Sequence, residues 1–239
     1  NPLRLTLAFI KAARRMGAKV FARREVTGIG LRGARIGPLR TTEGEIEAKT
    51  IVNAAGVSAS QIGRMVNLDI PIKPRRGQIL VTEAVPPTLR CPLLSSSYIT
   101  KKFESAASSA EEAGVSIEQT SNGNFLLGST REFVGLDVRT TWEGMRGIAS
   151  RTAKIVPGLR NMHIIRAFSG LRPHTPDGLP ILGRVKGLDG FIMAAGHEGD
   201  GIALSPATGQ LIAELIDAGS TTMDLADFGL ERFLQGVEA

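Results

Sequence analysis

Cysteine, histidine and aromatic side chains are scarce in this chain of 239 residues: one Cys, three His, one Trp, one Tyr and nine Phe. Each scarcity excludes a class of chemistry. Cys91 cannot close an internal disulfide, which fits a reducing compartment and a cytoplasmic protein. The isolated His163, His174 and His197 offer no ligand set at metal spacing, so no metal site is expected. No run approaches the ~20 apolar residues that cross a bilayer, and no signal-peptide pattern opens the chain. There is no GxSxG elbow and no phosphate loop. Nor does any GxGxxG follow a strand with an acidic residue ~20 positions beyond.

Basic residues outnumber acidic ones, 29 to 23, for a net charge of +6. They are dispersed as Arg14-Arg15, Arg23-Arg24, Arg75-Arg76 and Lys101-Lys102, and aromatics make up only 5%. That is too few stacking platforms for nucleic acid, so the charge reads as an ordinary basic surface. Apolar usage of 42% and charged usage of 22% are those of a globular protein, and the length supports one large domain or two small ones. The chain opens Asn1-Pro2 rather than with Met, which suggests a fragment, a processed form or a trimmed chain.

Hydrophobic periodicity predicts an amphipathic helix over 3–16 (Leu3, Leu7, Ile10, Ala13) closed by Gly17. A strand is expected over 18–26, with short strands over 28–36 and 46–48 forming a flap. The segment 49–56, KTIVNAAG, reads as a buried strand ending in small residues, followed by a helix over 57–66 with Ser58 as N-cap. In 71–83 a Pro-Arg-Arg-Gly turn feeds a strand; Arg75 and Arg76 suit either solvent or a diphosphate. The small, polar stretch 95–124 looks like an exposed insertion with a short helix near 104–113, a lid or subunit contact. Residues 140–155 form a helix with Trp142 expected in the core, stopped at Val156-Pro157-Gly158. Strands follow over 163–169 and 190–195, then a helix over 202–216 with a restart at Ser205-Pro206.

Two motifs carry the most chemistry. Residues 170–183 read GLRPHTPDGLPILG, and 194–202 read AAGHEGDGI. Arg172 offers a planar fork matching a carboxylate, although an arginine bonding loop carbonyls beside Pro173 fits equally. Asp177-Gly178 reads as a turn rather than as the partner of His174. The glycine-rich turn before the last helix would present backbone donors and a partial positive charge, or be only a tight turn.

In this order the two motifs resemble the C-terminal part of the D-amino-acid oxidase superfamily, which includes glycine oxidase, sarcosine oxidase, and opine and hydroxyproline dehydrogenases. The resemblance implies an α+β chain: a partial FAD-binding α/β domain at 1–73 and 171–239, and an antiparallel-sheet substrate domain at 74–170. The N-terminal dinucleotide-binding βαβ unit is absent, so the chain alone is expected to be inactive. It further implies that Arg172 holds a substrate carboxylate. FAD is implied to lie against Val26, Ala55, Gly56, Gly196, His197, Gly199, Asp200, Gly201 and Ile202. The flavin would be non-covalent, since relatives that tether it use a cysteine where this chain has Ser169, Gly170 and Leu171. The implied reaction is hydride transfer from an amino acid or secondary amine to FAD. A dehydrogenase is favoured over an oxidase, because 124–127 lacks the lysine that promotes oxygen reactivity in relatives. Its electrons would go to a carrier or partner subunit. A non-catalytic binding or assembly module is the alternative.

Overall fold

The computed structural model describes residues 1–100 and 114–233; the helix expected near 104–113 lies outside them. The chain begins with helix α1 (Pro2–Arg15), where Asn1 Oδ1 accepts the Arg4 N–H at 3.2 Å and Pro2 occupies a first-turn position. Gly17 follows at φ +97°. The apolar positions share a face as expected, but Leu3, Leu7 and Phe9 on this helix are exposed. The strand expected over 18–26 does not form there. Arg23 sits at φ +57°, Arg24 stacks 4.2 Å over the Phe21 ring, and pairing begins only at Val26.

Strands β1 (Val26–Arg32), β2 (Arg35–Thr41) and β3 (Gly44–Ile46) form the flap. The run 28–36 is broken into two strands by Gly33 at φ +62°. Strand β4 (Ile51–Asn53) leads through a 3-10 turn into helix α2 (Ala59–Arg64). Ser58 makes no side-chain cap bond. Buried Asn53 organises this entry instead, donating to Ala59 O at 2.9 Å and accepting from Ala55 N at 3.3 Å.

Next come strand β5 (Lys73–Ala84), β6 (Leu93–Leu94), helix α3 (Ser96–Thr100), β7 (Ser116–Gln119) and β8 (Asn124–Gly128). Pro74-Arg75-Arg76-Gly77 is part of β5, not a turn before it. Helix α4 (Trp142–Ile155) is capped by Thr141, whose hydroxyl accepts Gly144 N–H at 3.2 Å. Trp142, expected in the core, is 75% exposed at the first helical position. Gly144, Ile148 and Thr152 form the buried stripe instead.

Strand β9 (Ile164–His174) takes in the whole GLRPH segment, and β10 (Ile181–Arg184), β11 (Phe191–Ala195) and helix α5 (Gly201–Asp217) complete the order. Helix α5 does not restart at Ser205-Pro206. Pro206 cannot donate to Ile202 O four residues back, and Ser205 Oγ bonds that carbonyl at 3.0 Å, so the helix continues. Among the described residues no helix is long and apolar enough to cross a membrane.

The fold is mixed α+β and divides into two compact units. One comprises Asn1–Ile70, Ile181–Ala195 and Gly199–Ala239. It holds the antiparallel flap and a second sheet of order β10-β11-β4, in which β11 and β4 are parallel. Ile181, Phe191, Ile192 and Met193 form its core. The other comprises Pro71–Pro180 with Gly196–Glu198. The limits expected at 73/74 and 170/171 fall inside β5 and β9, and the strands run through them.

The second unit is an antiparallel sheet of order β6-β7-β8-β5-β9. Strand alternation gives it two different faces. Leu80, Ile117, Phe125 and Leu127 pack with Ile148 of α4. The opposite face carries the cross-strand sets Ile79–Gly128, Ile79–Phe168, Gly77–Gly170 and Arg75–Arg172.

Candidate functional site

On that second face, β9 places Arg172 directly across from Arg75. The Arg172 guanidinium lies flat over Gly77 of β5, where any Cβ would run into it. The paired Gly170 faces open space. Gly77 alone of this pair therefore clears the floor on which the guanidinium rests. Arg172 donates from Nη1 to Thr130 O at 3.2 Å and from Nη2 to Ser129 Oγ at 2.9 Å, and its side chain is 18% exposed. These bonds fix the plane of the fork. Burial pulls its pKa below the usual guanidinium value, with Glu198 acting in the opposite sense; arginine stays charged regardless.

Glu198 is the countercharge. It forms a fully buried ion pair with Arg75 and stands with Oε1 3.9 Å from Arg172 Nε. Its backbone is left-handed at φ +49°, and its N–H donates to Pro173 O at 3.1 Å. A non-glycine residue in that region costs of order 1–3 kcal/mol and persists where its surroundings demand it. Burial would raise the Glu198 pKa. The Arg75 hydrogen bond, with the charges of Arg172, Arg75 and Arg131, outweighs burial and holds it below the ordinary carboxylate value.

Arg131 and His174 complete the cluster. Arg131 is 4% exposed, and its Cζ lies 4.8 Å from the centroid of the Tyr98 ring. His174 packs against Phe133 with ring centroids 5.3 Å apart. Burial first, and the charge of Arg75 next, lower the His174 pKa. The other half of the basic pair points away. Arg76 makes two bonds to Glu132, at 3.1 and 3.0 Å, and approaches Asp137 at 3.3 Å. Arg75 and Arg76 are thus both committed to carboxylates on opposite faces of β5, so neither lies in a solvated turn. Asp177 serves its turn, accepting Leu179 N–H at 3.1 Å.

The first unit gathers a second set of residues. Because β4 and β11 are parallel, both end on one edge of their sheet. From β4 the chain exits through Ala54, Ala55 and Gly56, the last at φ +56° with open space where a Cβ would stand. Gly199 and Asp200 precede α5, which opens with Gly201 and half-exposed Ile202. Small residues at the carboxyl ends of neighbouring parallel strands are where open α/β sheets take ligands. Val26 stands apart. It opens β1 opposite Thr41, whereas the flap meets the second sheet at the other end of the hairpin, through Arg35 and Asp189. Gly196 and His197 cluster with the second unit, next to Glu198.

Residues 1–215 match the family model for the DAO group, "FAD dependent oxidoreductase". The chain belongs to this family. It is 35% identical over 236 residues to the hydrogen cyanide synthase subunit HcnC of Pseudomonas protegens, covering 98% of this chain and 52% of that protein. Among solved structures it is similar to L-proline dehydrogenase from P. horikoshii (TM-score 0.88, 29% identity, 98% of this chain and 60% of that one). It is also similar to glycine oxidase from Geobacillus kaustophilus (TM-score 0.80, 32% identity, 92% of this chain and 55% of that one). The chain spans about half the length of the curated relatives it matches.

Three members of the arginine cluster escape a reading of the sequence. Glu198 stands between two better-marked neighbours, His197 and Asp200. Arg131 and Tyr98 stand in no motif. The signal for Glu198 is an acid in a glycine-rich turn of a chain whose basic residues outnumber its acidic ones. The separation of 123 positions between Arg75 and Glu198 hides it.

Proposed function

We propose that this chain is part of an FAD-dependent enzyme that oxidises an amino acid or related secondary amine, and that Arg172 anchors the substrate carboxylate. The observation carrying this is the buried guanidinium held flat over Gly77 on the face of the sheet opposite α4. Thr130 O and Ser129 Oγ take part of the fork, and a bidentate carboxylate matches the planar group. Glu198 would offset one charge of the cluster through Arg75 without taking the fork for itself.

Ala55 and Gly56, with Gly199, Asp200, Gly201 and Ile202, are the residues that fit the cofactor best. Gly56 leaves room for close approach, and the start of a 17-residue helix brings backbone N–H groups and a partial positive charge. We include Gly196, His197 and Val26 on the resemblance, although Val26 has no support from the arrangement of the flap. The first unit is read as the cofactor side and the second as the substrate side. Bound FAD would supply the acceptor for the hydride leaving the substrate Cα, and the resulting imine would be hydrolysed by water. The chain's own residues orient the carboxylate, and Ile79, Leu126 and Phe168, on the face bearing Arg172, provide an apolar wall that excludes water. An amine bound in its neutral form needs no side-chain base.

Two finer readings follow. The residues of β8 on this face are Asn124, Leu126 and Gly128, none of them cationic. A developing superoxide is unsupported there, which favours a dehydrogenase that passes electrons to a carrier or partner subunit. A relative that is itself named a synthase subunit is consistent with such a partner. The flavin is read as non-covalent, because Ser169, Gly170 and Leu171 offer no thiol. The decisive experiment is kinetic: in the FAD-loaded protein, Arg172→Lys should raise KM for a carboxylated amine sharply, and Arg172→Ala further. An unchanged KM would refute the anchor. Reoxidation of the reduced protein by oxygen as fast as turnover would refute the dehydrogenase reading, and yellow colour precipitating with acid-denatured protein would refute non-covalent binding.

A further inference from the structure

Arg172 does not exhaust the positive charge of this site. Among the described residues, Arg75, Arg131 and Arg172 converge around one carboxylate, Glu198, which is engaged by Arg75. With His174 held toward its neutral form, two guanidinium charges remain to be matched. A ligand with a single carboxylate matches one.

Arg131 is placed to take the second. The residues that hold Arg172, Ser129 and Thr130, immediately precede it. Thr130 and Glu132 are tied to Gln78 and Arg76, while the charge of Arg131 acts on Arg172, Glu198 and His174. Its Nη1 is buried without a hydrogen-bond partner, and no carboxylate among the described residues pairs with it. A buried guanidinium donor left open in this way is rare and calls for an explanation. Tyr98 supplies a support: Arg131 Cζ lies over its ring, 4.8 Å from the centroid, a contact that does not consume the guanidinium's N–H donors. His174 Nδ1, in the same cluster, also lacks a partner.

We propose that Arg131 is a second carboxylate anchor, and that the site takes an amine bearing two carboxylates. This rests on the reading of Arg172 as the first anchor. The second carboxylate could be carried on the substrate side chain or on its nitrogen substituent; the chemistry recognised is the same.

The test is calorimetric titration of the FAD-loaded protein with inert acids in matched pairs: propionate against succinate, and butyrate against glutarate. At least one diacid should bind roughly tenfold or more tightly than its monoacid partner. Arg131→Met, which keeps an apolar chain over Tyr98, should erase that preference while leaving monoacid affinity within about twofold. Arg131→Lys should restore part of it, and serves if the Met variant melts early. Aspartate or N-carboxymethylglycine should displace succinate more strongly than alanine or N-methylglycine, which reports where the second carboxylate is carried. Equal affinities for monoacids and diacids, or an Arg131 variant that weakens both alike, would overturn the proposal and leave Arg172 as the sole anchor. Failure of every acid to bind would overturn both readings.

Discussion

The glycine floor beneath Arg172 makes a sharp prediction. A Cβ at position 77 would occupy the space of the Arg172 guanidinium, and that group is the far end of a flexible side chain. In Gly77→Ala the arginine swings away rather than the strand breaking. Folding then loses two hydrogen bonds, to Thr130 O and Ser129 Oγ, worth about 1 kcal/mol each net. It regains about 0.5–1 kcal/mol, because alanine suits a strand interior better than glycine. Stability should therefore change by no more than about 1–1.5 kcal/mol. Binding should suffer far more, since displacing a charge-assisted fork costs about 2–4 kcal/mol, or roughly 30- to 1,000-fold in affinity. The comparison variant is Gly170→Ala, whose Cβ would meet nothing within 4 Å, so Arg172 keeps its place. The assay is the Kd of the FAD-loaded protein for a monocarboxylate, read beside a thermal melt. A Gly77→Ala protein that binds as tightly as the parent would refute the argument. So would a collapse in melting temperature, which would make Gly77 a requirement of the fold rather than of the arginine.

Other outcomes follow from the same contacts. Glu198→Gln removes the countercharge from fully buried Arg75 and should cost about 3–5 kcal/mol in urea unfolding; a loss below 1 kcal/mol would mean the pair is solvated. His174 has a folded-state pKa below its ordinary value, so the unfolded chain takes the proton more readily. Stability present above about pH 6.5 should fall as the pH drops below that value, by at most about 1.4 kcal/mol per pH unit, and His174→Gln should flatten that slope between pH 7.5 and 5. Ser205→Ala leaves Ile202 O without the bond that bridges Pro206; helix α5 should lose about 0.5–1.5 kcal/mol, measured by denaturation.

Local chemistry made much of this protein legible. The amphipathic run of α1 with its stop at Gly17 and the end of α4 at Val156-Pro157 follow from helix-stop rules, each a matter of neighbours within a few residues. The GLRP and glycine-rich segments likewise marked the family from the sequence alone, and the family model agrees. Misreadings arose where a distant partner decided. Trp142 falls on an apolar stripe of the sequence, but the helix packs Gly144 against the Gln78 side chain and buries Ile148 and Thr152, leaving Trp142 exposed. The Pro-Arg-Arg-Gly segment carries every mark of a turn, yet ladder bonds to β9 hold it extended.

The tertiary structure alone decided the arginine cluster. Arg75, Arg131, Arg172 and Glu198 come from β5, the segment after β8, β9 and the turn after β11, and their separation in sequence exceeds any motif window. Strand alternation sends Arg75 to one face and Arg76 to the other, a distinction invisible in a dipeptide of identical residues. The sequence determined which side chains can carry charge and where the backbone can turn. Which charges meet, and which one is left without a partner, depended on sheet register, because only burial makes an unmatched cation costly enough to carry information.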